Sequence, residues 1–412
     1  MKPLATVIVG AGQAGLAMSR ELSGRGVDHL ILERGAVANS WRTERWDSLT
    51  LLTPNWANGL PGAPYEGAEP DGFMPVSELV ERFEAYASTI DAPIQDDTTV
   101  TNVVRTGSNY RLYTNHGPVL CETLVLATGA CNRPKVPAIR SAVPPGLFQT
   151  TPLAYRRPSD LPYGGVLIVG ASASGVQLAR EIHSSGRPVT LAVGNHTRLP
   201  RSYRGRDIEW WLNATGLHDV TFDEIDDLDR ARQTPSGQLI GSHEKVDLNG
   251  LQDLGIEVVA RLADIRDGQA LFSGGLANAI ASADLKMNRL LNSIDEWIVA
   301  QGLETEMPAP EVFVQTRVPT VPRLMRSLTD GTIRTVVWAT GYSPDFSWLD
   351  LPVFDRRGRL RHYGGVVDAP GLYVMGLPFM RRRKSQQILG AGDDAADLAG
   401  HLVSKLDRRH AA

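Results

Sequence analysis

Two short glycine-rich segments have the composition and spacing that suit phosphate binding. Residues 10–15 read Gly-Ala-Gly-Gln-Ala-Gly, and residues 170–175 read Gly-Ala-Ser-Ala-Ser-Gly. Glycine in such a loop permits a tight turn and lets the backbone approach a pyrophosphate, while the following helix presents free N–H groups to the anion. The chain is therefore predicted to bind two dinucleotides, through contacts at Gly10, Gly12, Gln13, Ala14, Gly15, Gly170, Ser172, Ser174 and Gly175.

The elements around the first loop match a dinucleotide-binding unit. An apolar strand at residues 5–9 precedes the loop, and a helix through Leu16 and Leu22 follows it. The next strand, at residues 29–32, ends on Glu33. An acid about 20 residues after such a loop can accept a hydrogen bond from a ribose hydroxyl. We expect this unit to hold FAD.

The second loop repeats the pattern with a different ending. Strands at residues 166–169 and 189–193 enclose a helix at 176–182, and no acid follows the second strand. Arg198 and Arg201 stand there instead. A guanidinium can bind a 2'-phosphate that a carboxylate would repel, so these arginines favour NADPH over NADH. The alternative is that they belong to a solvated loop.

These units predict an α/β protein with two Rossmann-like domains, the NADP domain being inserted into the FAD domain. We place the FAD domain at residues 1–155 and 331–412, and the NADP domain at 160–330. Closely spaced prolines between 134 and 162 indicate a linker. The strand before residues 339–341 should return the chain to the FAD domain. Apolar residues at helical spacing predict a long helix over 276–301.

Composition narrows the class of protein. The chain has 412 residues and a formal net charge of -4, which gives no reason to expect nucleic acid or anionic membrane as a partner. No apolar run approaches the roughly 18 residues that span a bilayer, so we expect a cytoplasmic protein. Cys121 and Cys131 do not form a CxxC pair and are expected to be packing residues. His116 and His183 lack ligand spacing, and no metal site is predicted.

The chain resembles the class B flavoprotein monooxygenases, which include flavin-containing monooxygenases, N-hydroxylases and Baeyer–Villiger enzymes. The resemblance is carried by both glycine loops, by Ala-Thr-Gly turns at 127–129 and 339–341, and by Glu33-Arg34 with Ser-Trp-Arg at 40–42. Residues 371–378 resemble the segment that passes the flavin ring. Residues 41–54 and 378–394 look most like a bacterial subgroup described as flavoprotein oxidoreductases or cation-efflux-associated monooxygenases.

The resemblance implies an FAD- and NADPH-dependent monooxygenase. In the family, NADPH reduces the flavin, and a flavin C4a-hydroperoxide formed with O2 transfers one oxygen atom to a substrate. We expect a small nitrogen or sulfur nucleophile as that substrate and leave a homodimer open. The resemblance also implies cofactor contacts at Arg34, Trp41, Arg42, Thr53, Val103, Thr128, Gly129, Thr340, Gly341, Gly376 and Gln387, with Trp46 and Asp47 beside the flavin.

Two residues are implied to take part in catalysis. Asn55 occupies about the place of a family asparagine near flavin C4a, although an asparagine in this Pro-containing turn is equally explained by turn formation. Tyr155 matches the last aromatic position of a family linker motif, whose usual histidine is replaced here by Thr151. That replacement argues against Baeyer–Villiger chemistry. The remaining alternatives are a reductase or oxidase without oxygen insertion, and a redox-sensing flavoprotein.

Two further groups of residues have open roles. Trp210 and Trp211 are expected to cover a core face. The basic run at 381–384 is either a solvated cluster or a phosphate clamp, and the following Ser-Gln-Gln is the better candidate for flavin contact.

Overall fold

The computed structural model describes residues 2–410. Its first sheet contains nine strands, with a parallel centre ordered β21-β6-β1-β2-β3. The hairpin strands β4 and β5 extend β6, and β19 and β20 complete the other edge. These strands are β1 (Leu4–Val9), β2 (His29–Leu32), β3 (Ile94–Gln95), β4 (Val100–Thr106), β5 (Asn109–Thr114), β6 (Gly117–Leu126), β19 (His362–Tyr363), β20 (Val366–Val367) and β21 (Leu372–Val374).

The second sheet contains five parallel strands in the order β13-β10-β9-β17-β8. Its members are β8 (Phe148–Thr150), β9 (Gly165–Val169), β10 (Val189–Val193), β13 (Glu257–Ala260) and β17 (Ile333–Trp338). The remaining strands form small antiparallel sheets: β7 (Arg133–Pro134) with β18 (Tyr342–Ser343), β11 (Ser202–Tyr203) with β12 (Arg206–Asp207), and β14 (Leu262–Arg266) with β15 (Gln269–Phe272) and β16 (Met325–Ser327).

Helices connect and cover the sheets. The long helix expected over 276–301 is present, and the C-terminal helix packs against the helix that follows the first glycine loop. The helices are α1 (Gln13–Gly24), α2 (Asn39–Thr43), α3 (Val76–Thr89), α4 (Ala173–Ser184), α5 (Ile208–Ala214), α6 (Leu228–Arg232), α7 (Leu248–Asp253), α8 (Leu276–Ala300) and α9 (Ile388–His410), with short 3-10 turns at Asn55–Asn58, Ala138–Ala142 and Pro158–Asp160.

The central strands are mostly apolar because both faces are covered. All five residues of β9 and of β10 are buried, as parallel sheets with helices on both sides require. Each sheet has its own hydrophobic core, and a third, smaller cluster joins α5 to α8 through Trp211, Met287 and Ile294. The α/β fold with two Rossmann-like units is confirmed.

The predicted domain boundaries need correction at both ends. Strand β17 pairs with β9 in the second sheet, so it does not return the chain to the FAD domain. Strand β8, which lies inside the range 1–155, pairs with the other edge of β17. The sequence pattern identified these strands but could not reveal their neighbours, since pairing is decided over more than 150 residues of separation.

The chain crosses between the two sheets twice, and the crossings lie side by side. After β6 it passes through β7, and after β17 it passes back through β18. These two strands pair antiparallel, with Tyr342 opposite Pro134 and Ser343 opposite Arg133. The two connections therefore form one two-stranded ribbon.

No helix within residues 2–410 is long and apolar enough to cross a bilayer.

Candidate functional site

A cavity of about 1580 Å³ is lined by both glycine loops. The first loop contributes Gly12 and Ala14, and the second contributes Ser172 and Ser174. Both Ala-Thr-Gly turns border the same space, as do the segment at Gly376 and residues 386–388. Two dinucleotides bound at these loops would therefore share one cavity.

The first loop has the geometry of a phosphate cradle. Gly10 has φ +108°, and a Cβ there would lie 2.7 Å from the Ala127 carbonyl oxygen. A Cβ on Gly15 would lie only 1.9 Å from the Gly10 carbonyl oxygen. Gly12 differs, because its Cβ would meet no protein atom within 4 Å. Two glycines thus allow the turn to close, and the third keeps space clear in the cavity.

Glu33 ties the end of β2 to this loop. Its carboxylate accepts hydrogen bonds from the backbone N–H of Ala11 at 2.7 Å and of Gly35 at 3.2 Å. Burial raises the pKa of Glu33, while these N–H groups and Arg34 act in the opposite direction. The fixed carboxylate borders the cavity and retains lone pairs that can accept from a ribose hydroxyl.

Polar atoms on the cavity wall have no partner within the described chain. Thr128 Oγ1 and Gln387 Oε1 are buried without a hydrogen bond, and both residues line the cavity. Buried polar groups normally find partners, so these atoms indicate a polar ligand. Trp41 also lines the cavity, and its indole N–H is fixed by Gln13 Oε1 at 3.2 Å. Together with the open space at Gly12, this wall fits a flavin dinucleotide.

The second loop repeats the backbone of the first. Gly170 has φ +108°, and a Cβ on Gly175 would lie 1.9 Å from the Gly170 carbonyl oxygen. Ser172 replaces the middle glycine and caps α4. The hydroxyl of Ser174 lies 3.1 Å from that of Tyr342, at the start of β18. The second cradle therefore fits another pyrophosphate.

Arg198 and Arg201, which were expected to bind the 2'-phosphate, form ion pairs in the interior instead, and this corrects that prediction. Arg198 is 5% exposed, and its guanidinium bonds to Asp284 at 3.0 Å and to Asp247 at 2.6 Å. Arg201 is buried and bonds to Asp207 at 2.6 Å. Neither is among the cavity-lining residues of the described chain. The solvated-loop alternative is also wrong, because both side chains are in the interior.

Arg261 lies at the edge of the cavity where Arg198 and Arg201 were expected. It follows β13, the strand beside β10, and its side chain lies next to Gly194, where a Cβ would be 3.6 Å from Arg261 Cγ. It lines the cavity with Asn195 and Thr197. No carboxylate within residues 2–410 forms an ion pair with it. In the sequence, Arg261 appears only as a basic residue directly after the strand at 257–260. Its importance can be recognised only when that strand is known to lie beside β10.

Asn55 and Tyr155, the two predicted catalytic residues, are structural and lie off the cavity wall. Asn55 Nδ2 donates to the Glu69 carbonyl at 2.9 Å, and Asn55 Oδ1 accepts from the Met74 N–H at 2.8 Å. Both ends of the amide thus hold the loop, which supports the turn-forming alternative. The Tyr155 hydroxyl donates to Glu181 at 2.9 Å, and burial raises its pKa.

Two further residues that were predicted to contact a cofactor, Val103 and Arg42, do not line the cavity. Val103 is buried in the first core, and its N–H donates to the Trp348 carbonyl at 2.8 Å. Residues 98–100, at the start of β4, line the cavity in its place. Arg42 is exposed and pairs with Glu84. Asp47, expected beside the flavin, does not line the cavity and lies 3.2 Å from Arg157. The other predicted contacts line the cavity, apart from the turn-closing Gly15 and Gly175: Gly10, Gly12, Gln13, Ala14, Glu33, Arg34, Trp41, Trp46, Thr53, Thr128, Gly129, Gly170, Ser172, Ser174, Thr340, Gly341, Gly376 and Gln387.

The remaining residues considered in the sequence are two tryptophans, the basic run at 381–384 and the two cysteines. Trp211 is buried in the third core and Trp210 packs against that core. Arg381, Arg382 and Lys384 form ion pairs with acids of α9. Arg383 alone of the basic run lines the cavity. Cys121 is buried in β6 and Cys131 lies on the cavity wall, both as free thiols.

The sequence profile of the family described as pyridine nucleotide-disulphide oxidoreductase matches residues 7–219, just over half of the chain. The chain belongs to this family. An uncharacterized oxidoreductase, CzcO-like, from Geobacillus kaustophilus is 28% identical over 401 residues, covering 97% of this chain and 98% of that protein. The prediction of a flavoprotein oxidoreductase that uses FAD and a pyridine nucleotide is confirmed at the level of the family.

Solved structures of other proteins share the fold of this chain. The flavin-containing monooxygenase from Stenotrophomonas maltophilia superposes with a TM-score of 0.67 at 16% identity, over 98% of this chain and 99% of that one. OTEMO in complex with FAD and NADP gives a TM-score of 0.58 at 15% identity, over 99% and 86% of the two chains. These similarities confirm the two-domain fold inferred from the glycine loops.

Proposed function

We propose that the protein is an NADPH-dependent flavin monooxygenase that inserts one oxygen atom of O2 into a small nitrogen or sulfur nucleophile. The observation that carries the proposal is the single cavity shared by both phosphate cradles. For a thioether the reaction balances as thioether, O2, NADPH and H⁺ giving sulfoxide, water and NADP⁺. A bound flavin would supply both hydride acceptance and activation of O2.

The protein residues would bind and orient the cofactors. The N-termini of α1 and α4 would each receive a pyrophosphate, and Glu33 would hold a ribose hydroxyl of the flavin dinucleotide. Thr128 and Gln387 would supply hydrogen bonds from the wall, where their side-chain oxygens have no partner in the described chain. The shared cavity would let the nicotinamide reach the flavin while excluding bulk water.

The preference for NADPH is assigned to Arg261 in this proposal. Its guanidinium is exposed toward the cavity, beside the end of β10 where the adenine ribose of a Rossmann-bound dinucleotide lies. A guanidinium binds a phosphate through charge-assisted hydrogen bonds. Gly194 leaves that approach open, since it has no side chain to repel the phosphate.

Nitrogen or sulfur oxidation is favoured over Baeyer–Villiger chemistry by the linker. Thr151 stands where the resemblance would place histidine, and its backbone carbonyl caps the turn that carries Ala154 and Tyr155. It is not among the cavity-lining residues of the described chain. No imidazole is thus available at this position to the nicotinamide or the substrate.

The proposal is tested by measuring product and peroxide together. Purified flavin-loaded protein would be supplied with NADPH and O2 in the presence of thioethers, amines and a cyclic ketone, and product per NADPH would be compared with H2O2 per NADPH. We expect sulfoxide or N-oxide and no lactone. Stoichiometric H2O2 with every substrate would identify an oxidase, and negligible NADPH consumption would identify a sensor.

A further inference from the structure

Part of the cavity wall is unexplained by either dinucleotide. Six leucines contribute to it, and several of them pack on the third core beneath α5 and α8. Phe379 and two arginines, Arg232 and Arg383, stand on the same wall. We call this region the leucine pocket, consisting of Phe379, Arg232, Arg383 and the leucines at 52, 199, 212, 217, 239 and 290.

Arg232, at the end of α6, is a half-buried cation without a counter-ion. Its Nε donates to the Phe379 carbonyl at 3.3 Å, and its terminal nitrogens make no hydrogen bond within the described chain. Asp229, one turn earlier, is paired with Arg359 at 2.8 Å. Burial lowers the pKa of Arg232, while the nearby Asp229 acts in the opposite direction.

Arg383, an exposed residue, is the second cation on this wall. Its guanidinium lies 5.2 Å from the centre of the Phe379 ring, and its Nε donates to the Leu217 carbonyl at 3.0 Å. Within residues 2–410 no carboxylate pairs with it, although its three basic neighbours in the sequence all have acidic partners. The structure therefore neutralises the rest of this basic run and leaves Arg383 for the cavity.

Phe379 positions both arginines at a cost in backbone conformation. Its φ is +43°, in the left-handed region that bulky L-residues avoid. In this conformation its carbonyl receives Arg232 while its ring lies beside Arg383. Strain of this kind is often found where a binding site needs it.

A buried imidazole also lacks a partner on this wall. His218 is 1% exposed, and its Nε2 lies 3.0 Å from Glu209 Oε2. Its Nδ1 is buried without a hydrogen bond, and both residues line the cavity. Within residues 2–410, the one ion-pair partner of Glu209 is this imidazole. The free ring nitrogen independently indicates a polar ligand.

We propose that the leucine pocket binds an apolar organic anion, with its acid group held by Arg232 and Arg383 and its apolar body against the leucines. This inference rests on the proposed monooxygenase function and names its substrate class, a nitrogen- or sulfur-containing organic acid. A thioether carboxylate, O2, NADPH and H⁺ would give the sulfoxide carboxylate, water and NADP⁺. The acid group is unchanged, and it orients the sulfur.

The test compares two probes that differ only in charge. Phenylthioacetate and its neutral amide would be titrated by calorimetry into flavin-loaded protein, and sulfoxide formation would be measured separately. We expect the acid to bind about tenfold to hundredfold more tightly than the amide, the range of a charge-assisted contact. Arg232→Gln and Arg383→Gln should each remove most of that difference and leave amide binding unchanged.

Two controls distinguish the anion site from a cofactor contact and from a general effect of removing positive charge. Arg230→Gln changes an exposed arginine of the same helix that does not line the cavity, and it should behave as wild type. The dissociation constant of NADPH should also be unchanged in the Arg232 and Arg383 variants. If NADPH binding weakens as much as acid binding, the arginines serve the cofactor and the proposal is wrong.

The binding measurement and the activity measurement test different parts of the proposal. Equal affinity for acid and amide in wild type would overturn the anion site, even if both are converted to sulfoxides. Charge-selective binding without sulfoxide from any probe would leave the anion site standing and overturn the monooxygenase function on which its substrate role rests.

Discussion

The two glycine loops share one backbone and differ in the positions that face the ligand. Gly10 and Gly170 have the same φ of +108°, and Cβ atoms on Gly15 and Gly175 would make the same 1.9 Å clash. The middle residue is Gly12 in one loop and Ser172 in the other. At the end of the second strand stands a fixed carboxylate, Glu33, in one unit and Gly194 in the other. The scaffold is therefore common, and ligand choice is encoded in few positions.

The difference teaches that the basic residue for the second ligand need not follow the same strand. In the first unit Glu33 ends β2 itself. In the second unit the candidate reader, Arg261, comes from the neighbouring strand β13. Arg198 and Arg201, which do follow β10, form ion pairs in the interior instead.

The largest effect is expected at the shared backbone. Gly15→Val and Gly175→Val each force a side chain into the carbonyl of the first loop glycine, at 1.9 Å. No flexible side chain can move aside there, so each variant should fail to give folded protein. Soluble yield and circular dichroism would check this. Folded Gly15→Val with normal flavin content would contradict the geometry.

The next effect distinguishes the two loops by the ligand that each is expected to bind. Gly12→Val places its side chain in the cavity, with no protein atom within 4 Å of its Cβ, so the protein should fold and lose its flavin. Ser172→Val should retain flavin and raise the dissociation constant of NADPH by about tenfold, ~1.4 kcal/mol. Flavin absorbance and NADPH titration on both variants test this exchange. Full flavin content in Gly12→Val would mean that the first loop holds something else.

A third change tests the structural arginine of the second unit. Arg198→Met leaves Asp284 buried without its cation, which typically costs about 3–5 kcal/mol. The urea midpoint should fall while the ratio of NADPH to NADH affinity stays constant. Arg206→Met, at an exposed position, serves as the control. A changed cofactor ratio in Arg198→Met would restore the original assignment of Arg198.

A fourth change tests the choice of nicotinamide cofactor. Arg261→Gln removes a charged hydrogen bond worth roughly 1.5–3 kcal/mol and should raise the KM for NADPH at least about tenfold, with little change for NADH. Gly194→Glu should act in the same direction, because an acid beside Arg261 would neutralise it and repel the phosphate. Steady-state kinetics with both cofactors decide the matter. Equal changes for NADPH and NADH would remove Arg261 from this role.

Local patterns predicted the elements accurately. The strands and helices of both units and the long helix α8 were all recognisable, because periodicity and glycine spacing act over a few residues. The positions of these loops that line the cavity followed from the same patterns, since backbone geometry dictates them.

The sequence could not predict which side chains pair with each other when they lie far apart along the chain. Arg198 finds Asp247 and Asp284, which lie 49 and 86 residues away, and nothing near Arg198 announces them. The two explanations of Asn55 stayed open in the sequence for a related reason, as its partners at 69 and 74 fold back over it. The arginines of the leucine pocket belong to no motif, and their lack of counter-ions is a property of the folded chain alone.

The ribbon formed by β7 and β18 has a mechanical consequence. Because both covalent crossings between the sheets are bonded to each other, they cannot move independently. We therefore expect any relative movement of the two sheets to displace both crossings together. Tyr342, whose hydroxyl lies 3.1 Å from that of Ser174, belongs to this ribbon. Such a movement would also act on the second cradle, through the contact between Tyr342 and Ser174.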